Sequence, residues 1–228
     1  TAAADLNDRA SELTGTVSGT VSVGCLLTFA QVLLPRLRRS FADAHPQVEF
    51  RQSEHDHAAL IDALRHGRID AALSYDMQVP PDLAFQPLLS LPPYALLAED
   101  HPLATRKTVT PDDLAPHPMV LLDLPYSTDY FLSFFATAKP RIAERTRDMG
   151  VMRAMVANGF GYSIANIRLG SDRAPDGSKL VFVPLDAPIP PMRMGLILPA
   201  HTAQRRTVAA FVAHCRATVT DAALPGLS

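Results

Sequence analysis

Gly161-Tyr162-Ser163-Ile164-Ala165 comes within one residue of the G-x-S-x-G elbow that lifts a nucleophilic serine to the top of a hydrolase sheet. That elbow needs a strand before the serine and a helix after it. Here a helical stretch closed by Asn158-Gly159 precedes Ser163, an apolar strand run contains it, and the last glycine is missing, so serine hydrolysis is not expected. His55-Asp56-His57 offers two imidazoles and a carboxylate, but no third ligand stands at a persuasive spacing for zinc. Capping of a helix by Asp56 or His57 is the better account. The turn Cys25-Leu26-Leu27-Thr28-Phe29 has neither the glycines that let a backbone approach a dinucleotide nor the Gly-Lys-Ser/Thr of a phosphate loop. Cys25 and Cys215, one in an apolar strand run and one on a late helix, allow a single disulfide or two free thiols; buried free thiols are expected. The sequence therefore predicts no catalytic residue, no metal and no cofactor.

Binding is what remains, and composition limits the partner. With 21 basic against 23 acidic side chains, the 228 residues carry a formal net charge of -2, and no dense positive field exists to hold phosphates. Direct contact with bare nucleic acid is not expected on that ground. No apolar run reaches the roughly 18 to 20 residues that span a bilayer, and Asp5, Asp8 and Glu12 oppose a basic-then-apolar leader, so no membrane contact and a cytoplasmic location are expected.

The elements that must position a ligand follow an α/β rhythm. Leu6 and Leu13 form the stripe of a short helix that starts abruptly at the first residue. Thr16 to Val23 alternates as a strand, and Val32, Leu33, Leu37, Phe41 and Ala44 recur at helical spacing until His45-Pro46 stops them. Val48 to Arg51 is extended, Leu60, Ile61 and Leu64 mark a helix closed by Gly67, and Ile69 to Leu73 is a buried strand. This alternation predicts a parallel sheet. Prolines crowd Pro80 to Pro118, with short strands at Leu83 to Leu91 and Tyr94 to Ala98, so the chain passes there from one lobe to another.

The second half repeats the theme. Thr110-Pro111-Asp112-Asp113 caps a short helix, Met119 to Asp123 is a strand, and Ser127 to Ala138 carries Tyr130, Phe131, Phe134 and Phe135 on a helical face. After a basic stretch, Lys139 to Arg147, a helix with Met152, Met155 and Val156 ends at Asn158-Gly159, and Tyr162 to Ile167 is a strand. Leu180 to Leu185 and Met194 to Leu198 are strands, and Val208, Phe211, Val212 and Cys215 mark a closing helix.

Four phrases in order carry a resemblance. VLLPRLRRSFADAHPQVEF (Val32 to Phe50), the run from Glu54 through Leu60, Leu64 and Gly67 to Ile69-Asp70-Ala71-Ala72-Leu73, EDHPLA (Glu99 to Ala104) and VANGFGYSIAN (Val156 to Asn166) together resemble the effector-binding domain of LysR-type transcriptional regulators. The resemblance implies two Rossmann-like lobes joined by two crossover strands, a type 2 periplasmic-binding-protein-like α/β fold. It divides the chain into a linker-helix stub at residues 1–15, a first lobe at 16–98 plus 193–220, a second at 99–192, and a tail at 221–228. It also implies a small-molecule effector in the interlobe cleft, pairing of copies into a dimer and, in the full-length protein, a tetramer, and contact with DNA only through an N-terminal domain preceding Thr1. A free-standing solute-binding protein of the same fold, serving a transporter, is the alternative.

In such sheets ligands lie beyond the carboxyl ends of the strands. By the resemblance, Thr28, with Phe29 beside it, stands where the family places a Ser or Thr that holds an effector carboxylate; the bland account of Thr28 is an N-cap. Glu54, His55 and His57 follow the second strand, and His55 replaces a glycine usual in the family, making that wall bulkier and its binding sensitive to pH near neutrality. Ser74, Tyr75 and Asp76 follow the third strand, with core packing of Tyr75 as the rival reading. In the second lobe Ser127 and Thr128 precede a helix, Asn166 replaces a family proline, and Arg168 follows it. An amide and a guanidinium suit an anionic or amide-bearing ligand. Arg168 also reads as a plain surface charge.

Overall fold

The computed structural model describes residues 16–136, 139–200 and 204–220. The expected linker stub at residues 1–15 and tail at residues 221–228 lie outside them. The described chain forms two compact units, one reaching Leu89 and resuming at Arg193, the other running from Ser90 to Met192.

The first unit contains β1 (Gly19–Leu26), α1 (Leu27–Ala30), α2 (Leu34–Ala44), β2 (Val48–His55), α3 (His57–Arg65), β3 (Ala71–Tyr75), most of β4 (Leu83–Leu91) and of β10 (Met192–Pro199), and α7 (Arg206–Thr218). Its sheet has the order β2-β1-β3-β10-β4. β1 runs parallel to both β2 and β3, whereas β10 is antiparallel to β3. All five residues of β3 are buried, as a strand covered on both faces requires. α2 turns Leu34, Leu37 and Phe41 inward, and Phe41 meets Phe50 of β2 and Phe211 of α7 at ring separations of 5.8 and 5.5 Å. Pro46, which cannot extend the hydrogen-bond ladder, follows the last turn.

The first strand begins three residues later than the β-branched alternation suggests, at Gly19 instead of Thr16. Burial decides the register: Val21, Val23, Cys25 and Leu26 are covered, while Thr16 lies exposed. β4 and β10 are the strands by which the chain leaves the first unit and returns to it. Their backbones approach so closely that a Cβ on Gly195 would lie 2.2 Å from the Gln86 carbonyl oxygen.

The second unit holds β5 (Tyr94–Ala98), α4 (Pro111–Leu114), β6 (Pro118–Leu122), α5 (Ser127–Ser133), β7 (Arg141–Thr146), α6 (Met149–Ala157), β8 (Ser163–Ala165) and β9 (Leu180–Pro184). β5 pairs with β8 on one side and β9 on the other. Those partners place Tyr94–Ala98 in the second unit, so the first crossing falls at Leu89, within the proline-rich stretch, and not after Ala98, where the family resemblance sets it. β6 and β7 form a parallel pair, and Met119 bridges Tyr162 just before β8. Gly161 makes this junction possible: its φ is +146°, and a Cβ there would stand 2.2 Å from the Pro118 carbonyl oxygen.

Two core clusters line this unit, one with Phe131, Phe134 and Tyr162, the other with Met149, Met152 and Val156 of α6. The expected Thr110 cap of α4 forms, and Asp113 completes it as a capping box in which the two residues bond reciprocally. α5 is shorter than its aromatic stripe suggests, ending at Ser133, with Phe134 buried as its C-cap. The basic stretch contains β7, whose exposed Arg141, Glu144 and Arg145 are the charges expected on an edge strand. Among the described residues, no helix is long and apolar enough to cross a membrane.

Candidate functional site

Because β1, β2 and β3 run parallel, their carboxyl ends share one edge of the first unit's sheet. Cys25 stands level with Glu54 on one side and Leu73 on the other, so Thr28, His57 and Ser74 all come just beyond or along that edge. Leu26, not Thr28, is the N-cap of α1, and it makes no side-chain cap bond. Thr28 lies within the helix, 9% exposed, and its Oγ1 is buried without a hydrogen-bond partner among the described residues. A buried hydroxyl in that condition costs about 1 to 3 kcal/mol. Phe29 is fully buried with its ring 4.7 Å from that of Tyr75, so the two pack as a core pair that floors this edge.

Asp56 is the cap of α3, accepting from the Ala59 amide at 2.9 Å. That frees His57 for a different task. It is 3% exposed, and its Nδ1 lies 2.7 Å from Ser74 Oγ. Burial pushes the His57 pKa below its usual value, against a backbone hydrogen bond with Met77 and the Asp56 charge, both of which raise it. Glu54 is exposed and accepts from Gln52 Nε2 at 2.9 Å, while His55 is half-buried at the last position of β2. Asp76 pairs with Arg193 of β10 at 2.6 Å.

In the second unit the bridge from Met119 to Tyr162 is parallel, so the ends of β6 and β8 also share an edge. Asp123, Ser127, Thr128, Asn166 and Arg168 belong to it. The hydroxyls are already occupied: Ser127 Oγ donates to the Leu124 carbonyl at 3.3 Å, and Thr128 Oγ1 donates to Asp123 Oδ1 at 3.1 Å and to the same carbonyl at 3.0 Å. Arg145 binds the other Asp123 oxygen at 2.9 Å, and these contacts hold that carboxyl below its usual range. A hollow of about 390 Å³ opens here, bordered by Asp123, Pro125, Tyr126, Thr128, Asp129 and Arg147.

Asn166 is buried and its Nδ2 lies 2.9 Å from Met192 Sδ. Arg168 is exposed, with its guanidinium 4.9 Å from the centre of the Phe182 ring and no ion pair among the described residues. Two residues that sequence reasoning passed over fix this segment. Tyr94 donates its hydroxyl to the Ile167 carbonyl at 2.5 Å. Arg153, 2% exposed on α6, donates to the carbonyls of Ser171 and Arg173 at 2.9 and 3.0 Å and stands 5.6 Å from the same Phe182 ring. An arginine four residues after Met149 on the buried face of an apolar helix was the legible signal.

The hydrolase elbow finds no footing at Ser163. Ser163 is fully buried within β8, and the strand continues to Ala165 where an elbow would need a helix. Both thiols are buried and unbonded to each other, and burial pushes Cys25 up to about 12 and Cys215 higher still.

The polar groups thus gather at strand ends of each unit, and the fold and sequence comparisons point the same way. The regulator LysR of Escherichia coli, a transcriptional activator, is 30% identical over 202 residues, covering 87% of this chain and 64% of that protein. The chain therefore spans less than two thirds of that relative. HinK, a LysR family transcriptional regulator from Pseudomonas aeruginosa, superposes with a TM-score of 0.86 at 32% identity, over 95% of this chain and 77% of that one. The BenM effector-binding domain with benzoate, at 21% identity and a TM-score of 0.75 over 89% and 92% of the two chains, shares the fold. The family model for the LysR substrate binding domain matches residues 14–220, and the chain belongs to that family.

Proposed function

We propose that this chain is the effector-sensing part of a transcriptional regulator, taking a small carboxylate-bearing metabolite at the strand-end residues described above. The observation that carries this reading is Thr28, whose Oγ1 is buried without a partner at the edge where parallel strands end. A ligand oxygen that accepts from it offsets the cost of that hydroxyl, so occupancy and stability rise together. Arg168, stacked on Phe182 and free of an acidic partner among the described residues, supplies positive charge in the second unit. The border around Asp123 and Thr128, in the second unit, offers acceptors that suit a hydroxyl or ammonium group.

In this reading the chain is not an enzyme. Binding shifts an equilibrium between arrangements of paired copies by the ligand's differential affinity for them, and a DNA-reading segment outside this chain carries the result to a promoter in the cytoplasm. The matched relative is a transcriptional activator, which favours a regulator over a transport carrier. A thermal-shift screen of metabolite carboxylates, benzoate included, tests the proposal: a true effector raises the melting temperature with a concentration dependence that Thr28→Val weakens. A hit unaffected by Thr28→Val, His57→Asn and Arg168→Gln alike would remove these residues from the site.

A further inference from the structure

At the edge of the first unit's sheet opposite Thr28 lies a cavity of about 430 Å³. Its floor is apolar: Leu64, Ile69, Leu83, Leu198 and Val208 are each less than 10% exposed. Its rim carries two ion pairs. Arg65 holds Asp82 through two bonds of 2.7 and 2.9 Å, and Arg205 holds Asp70, which also accepts from the Ser22 amide at 2.8 Å. We propose that this cavity is a second ligand site, for a small acid with an apolar body, and that it is coupled to the strands joining the two units.

Three observations support it. The volume falls in the range of about 300 to 1,000 Å³ typical of small-molecule sites, and the lining combines an apolar floor with a few convergent polar groups, as such sites do. The rim's charges cancel in pairs, but its donors are not used up. The carboxylates orient both guanidiniums yet leave each with an Nη1 that has no bond among the described residues. Arg205 is the N-cap of α7 and makes no side-chain cap bond, and no acid stands in the first turn, so the amides of residues 206–208 add donors beside it. Arg65 and Asp82 are both about half-exposed, so their pair adds little to stability and the fold does not depend on it.

Coupling follows from topology. Leu83 opens β4 and Leu198 and Pro199 end β10, so a bound molecule touches both strands by which the chain passes between the units. Any bias it places on their pairing reaches the effector equilibrium by linkage, independently of how Thr28 is used.

Titrating phenylacetate, with phenethylamine as the cationic control, into the ¹⁵N-labelled chain tests the site. Phenylacetate is expected to shift the amides of Gly67, Leu83, Thr207 and Val208 in wild type and in Thr28→Val. Gln204→Trp, a substitution at an exposed rim residue that closes the mouth without entering the core, should weaken those shifts about tenfold or more, and Arg205→Gln should do the same. The proposal is overturned by shifts confined to Thr28 and His57, by equal shifts with phenethylamine, by their loss in Thr28→Val, or by no change in Gln204→Trp.

Discussion

Thr28→Val separates binding from folding because the two effects have opposite signs. Valine matches threonine in shape and exchanges a hydroxyl for a methyl. In the unliganded chain Oγ1 is buried and bonded to nothing described, so the exchange removes a desolvation cost of about 1 to 3 kcal/mol and breaks no bond. The variant should therefore unfold later, each ~1 kcal/mol raising the midpoint by about 2 to 4 °C for a chain of this size. In the liganded chain the same hydroxyl donates to a charged oxygen. Losing a bond of that kind costs about 1.5 to 3 kcal/mol, which is a weakening of about 10- to 150-fold. Calorimetric titration with the best carboxylate from the screen, beside urea unfolding of the unliganded protein, reads both. A variant that is less stable without ligand would show that Oγ1 already has a partner that matters, and unchanged affinity would take Thr28 out of the site.

Stability should fall as the solution is made more acidic than pH 6.5. Burial depresses the pKa of His57, His101 and His214 in the folded chain, so the unfolded chain binds more protons below the ordinary histidine value, and the loss continues until the depressed folded values are passed. Urea midpoints at pH 7 and pH 5 should differ less in His57→Asn, and an identical slope would show that His57 does not titrate in this way. Gly161→Ala should cost about 3 kcal/mol or more, because a side chain at φ +146° is strained and its Cβ would meet the Pro118 carbonyl at 2.2 Å; wild-type unfolding would refute the close approach. Both cysteines should stay reduced on brief treatment with hydrogen peroxide, since the Cys25 thiol, pushed up to about 12, holds almost no thiolate at neutral pH. Mass spectrometry showing the loss of two hydrogens would contradict this.

The fold was legible where burial and local chemistry agree. The buried run of β3 and the Thr110 cap before Pro111 each have a pattern that admits one reading. It was less legible where long-range pairing decides. Nothing local in Tyr94–Ala98 says which sheet it joins, and its partners β8 and β9 lie about 65 to 90 residues away in the chain. The segments at the strand ends can be read from the sequence, but their hydrogen bonds cannot. Thr128 looks like a ready donor in sequence, yet its proton already goes to Asp123 and Leu124. Asp56 and His57 both offer a cap in sequence; Asp56 takes that task and the His57 imidazole turns to Ser74. Such assignments depend on which oxygen is nearest, and no spacing encodes that.

The chain leaves its first unit through β4 and re-enters through β10, and these strands are neighbours in one sheet. Residues 90–192 thus form one continuous insert whose two ends are held side by side. During synthesis that insert emerges whole and can fold as soon as it clears the ribosome, whereas its host waits for β10 to fill the place between β3 and β4. The same arrangement makes the insert a natural cassette: exchanged between relatives at Leu89 and Arg193, it would bring its own strand-end residues while leaving the host sheet to close as before.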